Sequence, residues 1–407
     1  MTAPRHWLYF AACTALALLQ AACGSSGGGG TGGGHPPPLP TGANVASLTV
    51  DSGPAGTVNT LFVDVTLCAP GTADCRTVDH VLVDTGSSGL RIIASVISPS
   101  LALPAVVDAA GDPVTECMQF ADGQSYGPLQ LADVKIGGET AGSIPVQFIG
   151  DPAFAAIPAD CAGIGPPENT VQAFGANGVL GIGVFREDCG AACAGAAIAG
   201  TYYGCPPSGC VSQAMPLAKQ AQNPVWHFAV NNNGAVVVLR AVDPAGAAVV
   251  AGALVFGIDT ADNNRLTSGN IIHVDATTGA FRTIYSGVTL PASFMDSGST
   301  GLFFNDASIA VCSGSIAPDY YCPASLKSLS ATVEGVTGSS GSVAFRVANA
   351  ESLLTNNVTF VAFSSLAGTT SFGGSFDWGL PFFYGRSVYV AIEGQSTSSG
   401  TGPYFAY

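Results

Sequence analysis

Charge is scarce in this chain. Only 12 Lys and Arg accompany 27 Asp and Glu in 407 residues, and charged residues make up 10% of the total. A net charge of −15 with so few cations argues against nucleic acid or an anionic membrane surface as a partner. Metal-binding patterns are missing too. No Cys-x-x-Cys occurs and His6, His35, His80, His227 and His273 are scattered, so no metal or other cofactor is expected. His273-Val274-Asp275 reads as surface strand rather than as a ligand pair. No Gly-x-Ser-x-Gly sits between a strand and a helix, as a nucleophile elbow requires. Gly181-Ile182-Gly183 lacks the helix and acidic residue that a dinucleotide loop needs. Long amphipathic helical patterns are rare; one short helical stretch is expected near Met215 to Ala221. Beyond the N-terminus no apolar run reaches the ~20 residues of a membrane-spanning helix.

What is abundant is glycine, with 53 residues, alternating with short β-branched and apolar runs. Val58 to Leu67 and Val78 to Val83 set the style, which continues to Tyr407 and predicts an all-β chain. About 380 residues after a leader exceed what one core holds, so two lobes are expected. Met1 to Cys23 reads as a targeting segment: Arg5 gives a positive start, Trp7 to Leu19 is mostly apolar, and Gln20-Ala21-Ala22-Cys23 ends in small residues. It resembles a bacterial lipoprotein signal, which implies lipid attachment at Cys23 and a place in the cell envelope, on the outer membrane. An ordinary secretory peptide, and hence a secreted chain, is the alternative. Residues 24–43, with Gly-Ser tracts and His-Pro-Pro-Pro, read as a flexible tether. The lobes are expected at 44–224 and 225–407.

Setting aside Cys13 and Cys23, ten of the 12 cysteines remain, an even number that suits disulfides in an exported protein. Proximity pairs Cys68 with Cys75, Cys117 with Cys161, Cys189 with Cys193, Cys205 with Cys210, and Cys312 with Cys322. For the central four, Cys189–Cys210 with Cys193–Cys205 is equally sensible. Tyr202-Tyr203 and Tyr320-Tyr321, beside cysteines, read as loop packing, and Phe303-Phe304, Phe382-Phe383, Trp226 and Trp378 as core.

One pattern stands above these. Val81-Leu82-Val83-Asp84-Thr85-Gly86-Ser87-Ser88-Gly89-Leu90 has a distant echo in Phe294-Met295-Asp296-Ser297-Gly298-Ser299-Thr300-Gly301-Leu302. Each is an apolar strand, then Asp-Thr/Ser-Gly-Ser, then renewed apolar sequence. Asp and Gly are ordinary turn residues, so one copy would mean little. Two copies suit one turn in each of two similar lobes. Two carboxyls brought together share a proton, so one can draw a proton from water while the other donates to a carbonyl oxygen. Glycine two residues after each Asp, Gly86 and Gly298, permits close backbone approach. The Thr85 and Ser297 hydroxyls could tie the turns together, and Ser87 and Ser299 could orient the carboxylates.

The paired turns resemble those of the bilobal pepsin-type aspartic peptidases, and other segments follow in that family's order. Phe120-Ala121-Asp122-Gly123, then Gly127-Pro128-Leu129, resembles the flap hairpin. Asn177 to Gly183 resembles the segment beside the first Asp turn, and Trp378-Gly379-Leu380 the one beside the second. Gly252 to Gly257 resembles the strand opening the second lobe. The likeness spans roughly residues 44 to 407 and is narrower toward a family of uncharacterised bacterial lipoproteins. It implies two β-barrel-like lobes around a cleft, Asp84 and Asp296 as catalytic residues aided by Thr85, Ser87, Ser297 and Ser299, and a flap from Phe120 to Tyr126 over an extended polypeptide substrate, with Gly86, Gly298, Phe120, Asp122 and Gly123 in contact with it. A single chain supplying both turns implies a monomer. Three positions depart from the family: Phe120 stands for the flap tyrosine, Arg91 for an aromatic, and Asp377 for an apolar residue near the dyad, where a third carboxylate would raise its pKa. These departures keep open an alternative, a catalytically silent scaffold that binds or inhibits peptides or proteins.

Overall fold

The structure, a computed structural model, describes residues 38–267 and 269–407. The expected leader, Cys23 and most of the tether lie outside the described residues. The chain folds as a bilobal all-β protein. Its first part contributes β1 (Val45–Val50), β2 (Leu61–Cys68), β3 (Cys75–Asp84), β4 (Ser88–Ile93), β5 (Val114–Gln119), β6 (Gln124–Ile136), β7 (Glu139–Ile149), β8 (Gly178–Ile182), β9 (Tyr202–Gly204) and β10 (Val211–Ser212). The second contributes β11 (Gly234–Leu239), β12 (Val250–Phe256), β13 (Ile271–His273), β14 (Phe281–Tyr285), β15 (Val288–Met295), β16 (Leu302–Phe303), β17 (Lys327–Glu334), β18 (Ser340–Val347), β19 (Ala367–Gly368), β20 (Asp377–Trp378), β21 (Ser387–Ala391), β22 (Ser396–Thr397), β23 (Gly400–Thr401) and β24 (Tyr404–Ala406).

Burial along the strands explains which of them reach the centre. In the outer part of β3 only Val78 is buried, whereas Val81 to Asp84 are all buried. That strand therefore carries its terminal carboxylate from the surface into the interior. β8 is buried throughout, as expected of a strand covered on both faces. It runs parallel to β3, pairing Asp84 with Gly181, and antiparallel to β4, pairing Ser88 with Ile182. The first Asp turn is thus the loop between two strands that a third strand separates. The second lobe repeats the arrangement: β20 runs parallel to β15 and antiparallel to β16. Beneath it Phe304, Phe376 and Trp378 stack at 4.7 and 4.1 Å between successive rings.

The lobes are not separate sheets. A 15-stranded sheet runs from β10 through the first lobe to β1, crosses to β12 and β11, and ends at β24 and β13. β12, expected to open the second lobe, therefore joins the sheet that spans both. A 7-stranded sheet from β18 to β19 completes the second lobe. The five disulfides follow the proximity pairing, including Cys189–Cys193 and Cys205–Cys210. Cys68–Cys75 closes the β2–β3 hairpin, and Cys117–Cys161 ties the flap strand to the short helix Ala159–Ala162. The helix expected near Met215 shrinks to the single turn Leu217–Lys219, too short a stretch between prolines and glutamines that cap neighbouring backbone. Tyr202 and Tyr203 are buried strand residues, not loop residues; their hydroxyls donate to Asp188 and Asp160. Among the described residues no helix is long and apolar enough to cross a membrane.

Asn59 couples the lobes at one point. It is fully buried with a φ of 49°, a conformation that asparagine tolerates better than most residues. Its amide donates to the carbonyls of Thr300 (2.7 Å) and Phe363 (2.9 Å) and accepts from Phe363 N–H (2.7 Å) and the Tyr384 hydroxyl (2.9 Å). Asn59→Ala strands four polar groups in the interior. The urea midpoint should fall, corresponding to a loss of about 3 kcal/mol with little change in slope.

Candidate active site

The Asp turns meet at the junction of the lobes and brace each other reciprocally. Thr85 N–H donates to Ser297 Oγ (3.1 Å) and Ser297 N–H donates to Thr85 Oγ1 (3.0 Å). The same hydroxyls donate across the interface to Met295 O (3.0 Å) and Val83 O (2.7 Å). Both residues are buried, so these bonds are shielded from water. Within each turn the carboxylate is held twice. Gly86 N–H reaches Asp84 Oδ1 and Gly298 N–H reaches Asp296 Oδ1, each at 2.7 Å. Ser87 Oγ donates to Asp84 Oδ2, and Ser299 Oγ donates to Asp296 Oδ2 at 2.8 Å. Every hydroxyl expected to brace or orient does so.

The glycines are required by distance. A Cβ at Gly86 would lie 2.9 Å from Asp296 Cγ, and one at Gly298 would lie 3.0 Å from Asp84 Cγ. Each turn therefore packs its backbone against the other turn's carboxyl. The two carboxyls therefore face each other across the junction, near enough for the charge of one to act on the other. Asp296 is held well above the ordinary carboxylate range by burial first, then by the charges of Asp84 and Asp377.

Asp377 is the departure that reaches this site. The register pairs it with Phe294 on one side and Phe303 on the other, which puts it next to the Asp296 turn. Burial pushes its carboxyl well above the ordinary range; the Ser299 hydroxyl opposes this and the Asp84 charge adds to it. The Ser299 hydroxyl thus lies between Asp296 and Asp377 while donating to Asp296. Arg91 departs without reaching the cavity. It is fully buried behind the first turn, donates to Ser88 O (2.9 Å), and pairs with Glu116 of the flap strand and with Asp188 (3.2 Å). Two carboxyls against one guanidinium leave Asp188, buried and close to Glu116, well above its ordinary pKa. The place of an aromatic is thus taken by an ion cluster joining Asp turn and flap.

A cavity of about 240 Å³ opens above the pair. Asp84, Asp296, Gly298 and Ser299 form its floor; Phe120, Ala121 and Asp122 reach it from the tip of the β5–β6 hairpin. Phe120 packs edge-on against Phe174, 5.5 Å between centroids, and brings no hydroxyl. Gly123 closes the hairpin, its carbonyl accepting from Phe120 N–H, and neither it nor Gly86, which packs against Asp296, lines the cavity as expected of substrate contacts. Phe303, expected in the core, forms part of the wall, as do Glu168, Asp319 and Tyr320, none of which the sequence singles out as a site residue. They come from loops whose composition carries no signal. Among the described residues the acidic or thiol group that comes closest to a metal-ligand cluster is Cys312, Cys322 and Glu351, and its cysteines are joined in a disulfide.

A family model described as "Protein of unknown function (DUF3443)" matches residues 40–407. The chain belongs to this family. No curated protein matches it in sequence. Among solved structures it is similar to the aspartic proteinase from Irpex lacteus, with a TM-score of 0.53 and 15% identity over 89% of this chain and 96% of that one. At that identity the likeness shows the fold, which is pepsin-like.

The raised carboxyls set a stability sign. A carboxyl with a raised folded-state pKa stabilises the fold while protonated, and that contribution is lost as pH climbs through the folded value. Asp377→Asn removes the cost of charging this group. Its melting temperature should exceed that of the unsubstituted chain by a few degrees at neutral pH, and the gain should vanish below the ordinary carboxylate pKa, where Asp377 is neutral in both states. Calorimetry at the two pH values checks this.

Proposed function

We propose that this protein is an exported aspartic endopeptidase, held in the cell envelope through a lipid on Cys23, that cleaves extended polypeptides in the cleft between its lobes. The observation that supports it most is the Asp84–Asp296 pair, packed against each other's turns and braced alike on both sides at the floor of a cavity. With one proton on Asp296 the pair keeps a single negative charge, enough to take a proton from a water lying between the carboxyls. The proton on Asp296 is delivered to the carbonyl oxygen of the peptide bond as water attacks its carbon. Collapse of the tetrahedral diol breaks the C–N bond as the proton gained from water passes to the departing amine and one diol hydroxyl returns its proton to Asp296, restoring the pair. No covalent intermediate arises. The mutual bracing holds both carboxyls in place without rearrangement during the reaction. The β5–β6 hairpin serves as the cover that excludes solvent, with Phe120 packing on substrate where a hydroxyl would otherwise bond to it. A single chain holds both halves of the site, so the monomer is the working unit.

That missing hydroxyl favours the second reading, a cleft that binds peptides without cutting them. Cleavage of an unfolded polypeptide by the mature chain separates the two. Activity should follow a bell in pH, lost in strong acid when the pair is doubly protonated and lost again as pH rises through the raised Asp296 value. Asp84→Asn and Asp296→Asn should each lower kcat by at least about 10³-fold, since either change removes the shared charge and proton. Cleavage surviving both substitutions would rule the mechanism out.

A further inference from the structure

The two crossing strands obey the same pseudo-twofold relation as the Asp turns, yet they differ at one position. In the first lobe β8 sets Val179 opposite Leu82, two residues before Asp84. In the second, β20 sets Asp377 opposite Phe294, two residues before Asp296. A carboxyl is therefore the symmetry counterpart of an aliphatic side chain. Packing gives no reason for the exchange, because Asp377 is 6% exposed and its Oδ1 has no hydrogen-bond partner. A buried acceptor without a donor destabilises the fold unless something supplies the donor. Asp377 lines the cavity, so a molecule occupying that space can do so.

The surroundings define the donor's charge. Among the described residues, Asp84, Asp122, Glu168, Asp296, Asp319 and Asp377 line the cavity and no Lys, Arg or His does. We infer that Asp377 determines specificity by receiving, at Oδ1, the ammonium or guanidinium of a lysine or arginine side chain next to the bond being cut. This rests on the peptidase reading of the cleft and names its substrate class. A hydroxyl or amide could also donate to Oδ1, but only a cation offsets the negative charge of so acidic a lining once Asp377 ionises. The stem of a lysine or arginine also suits the apolar wall of Phe303, Ile316 and Phe372, with its charged end reaching the floor. A net charge of −15 draws such peptides toward the protein before they bind.

The test uses two statine-containing peptides that differ only in lysine or norleucine beside the statine, the pair being made for each flanking position. Calorimetric titration against the mature chain, Asp377→Asn and Asp377→Val reads affinity without requiring turnover. The valine variant restores the aliphatic residue of the symmetric position, and melting curves show that each variant folds. At one flanking position the unsubstituted chain should bind the lysine peptide at least about tenfold more tightly than its norleucine twin. In both variants the ratio should fall to near one while the norleucine peptide still binds. Equal binding of both peptides by the unsubstituted chain, or a preference for lysine that survives both substitutions, overturns the inference and leaves the peptidase reading standing. Failure of every statine peptide to bind the unsubstituted chain overturns both.

Discussion

Everything in this fold converges on the hydrogen bonds that two hydroxyls and two backbone amides exchange across the lobe junction. Thr85 and Ser297 each accept from the other turn's amide and donate to a carbonyl beyond it, so neither turn can move without breaking bonds in both lobes. That mutual restraint packs each turn against the other's carboxyl, an arrangement that repulsion would oppose if both were charged. The sheet crossing from β1 to β12, the Asn59 bonds and the buried crossing strands all serve to hold the junction still.

Such a site is kept against stability. Asp296 and Asp377 both resist ionisation, and Asp377 is buried with one oxygen that no donor reaches. A core selected for packing alone would replace these groups with apolar ones of similar size. Local conflict of this kind concentrates where a protein binds or transforms something. The Arg91 cluster is a contrasting case. It too is buried and charged, but it contains its own cation, and it links the strand after the first Asp turn to the flap strand rather than facing the cavity.

The centre of the molecule was legible in the chain because it is written in local spacing. Asp, then hydroxyl, glycine and hydroxyl after an apolar strand states a turn and its bracing in a few consecutive residues, and both copies fold as read. Closely spaced cysteines paired as proximity suggests, since short loops leave few alternatives. What escaped depends on distant partners. Nothing near Glu168 or Asp319 marks them as cavity residues, because the loops that carry them are placed by the sheets beneath. Arg91 reads as an oddity until Glu116 and Asp188 are brought to it from remote segments. The Tyr202–Tyr203 pair fails as a loop for the same reason: its hydroxyl partners lie on other segments.

The account rests on a proton held jointly by Asp84 and Asp296. Carbon-13 NMR titration of aspartate side-chain carboxyls measures it directly, with Asp296 assigned by substitution. Asp296 should titrate well above the ordinary carboxylate range, and Asp84→Asn should lower that value without restoring it to normal, since burial persists when the neighbouring charge is gone. An Asp296 signal that titrates in the ordinary range, or that ignores the substitution at Asp84, would contradict the account.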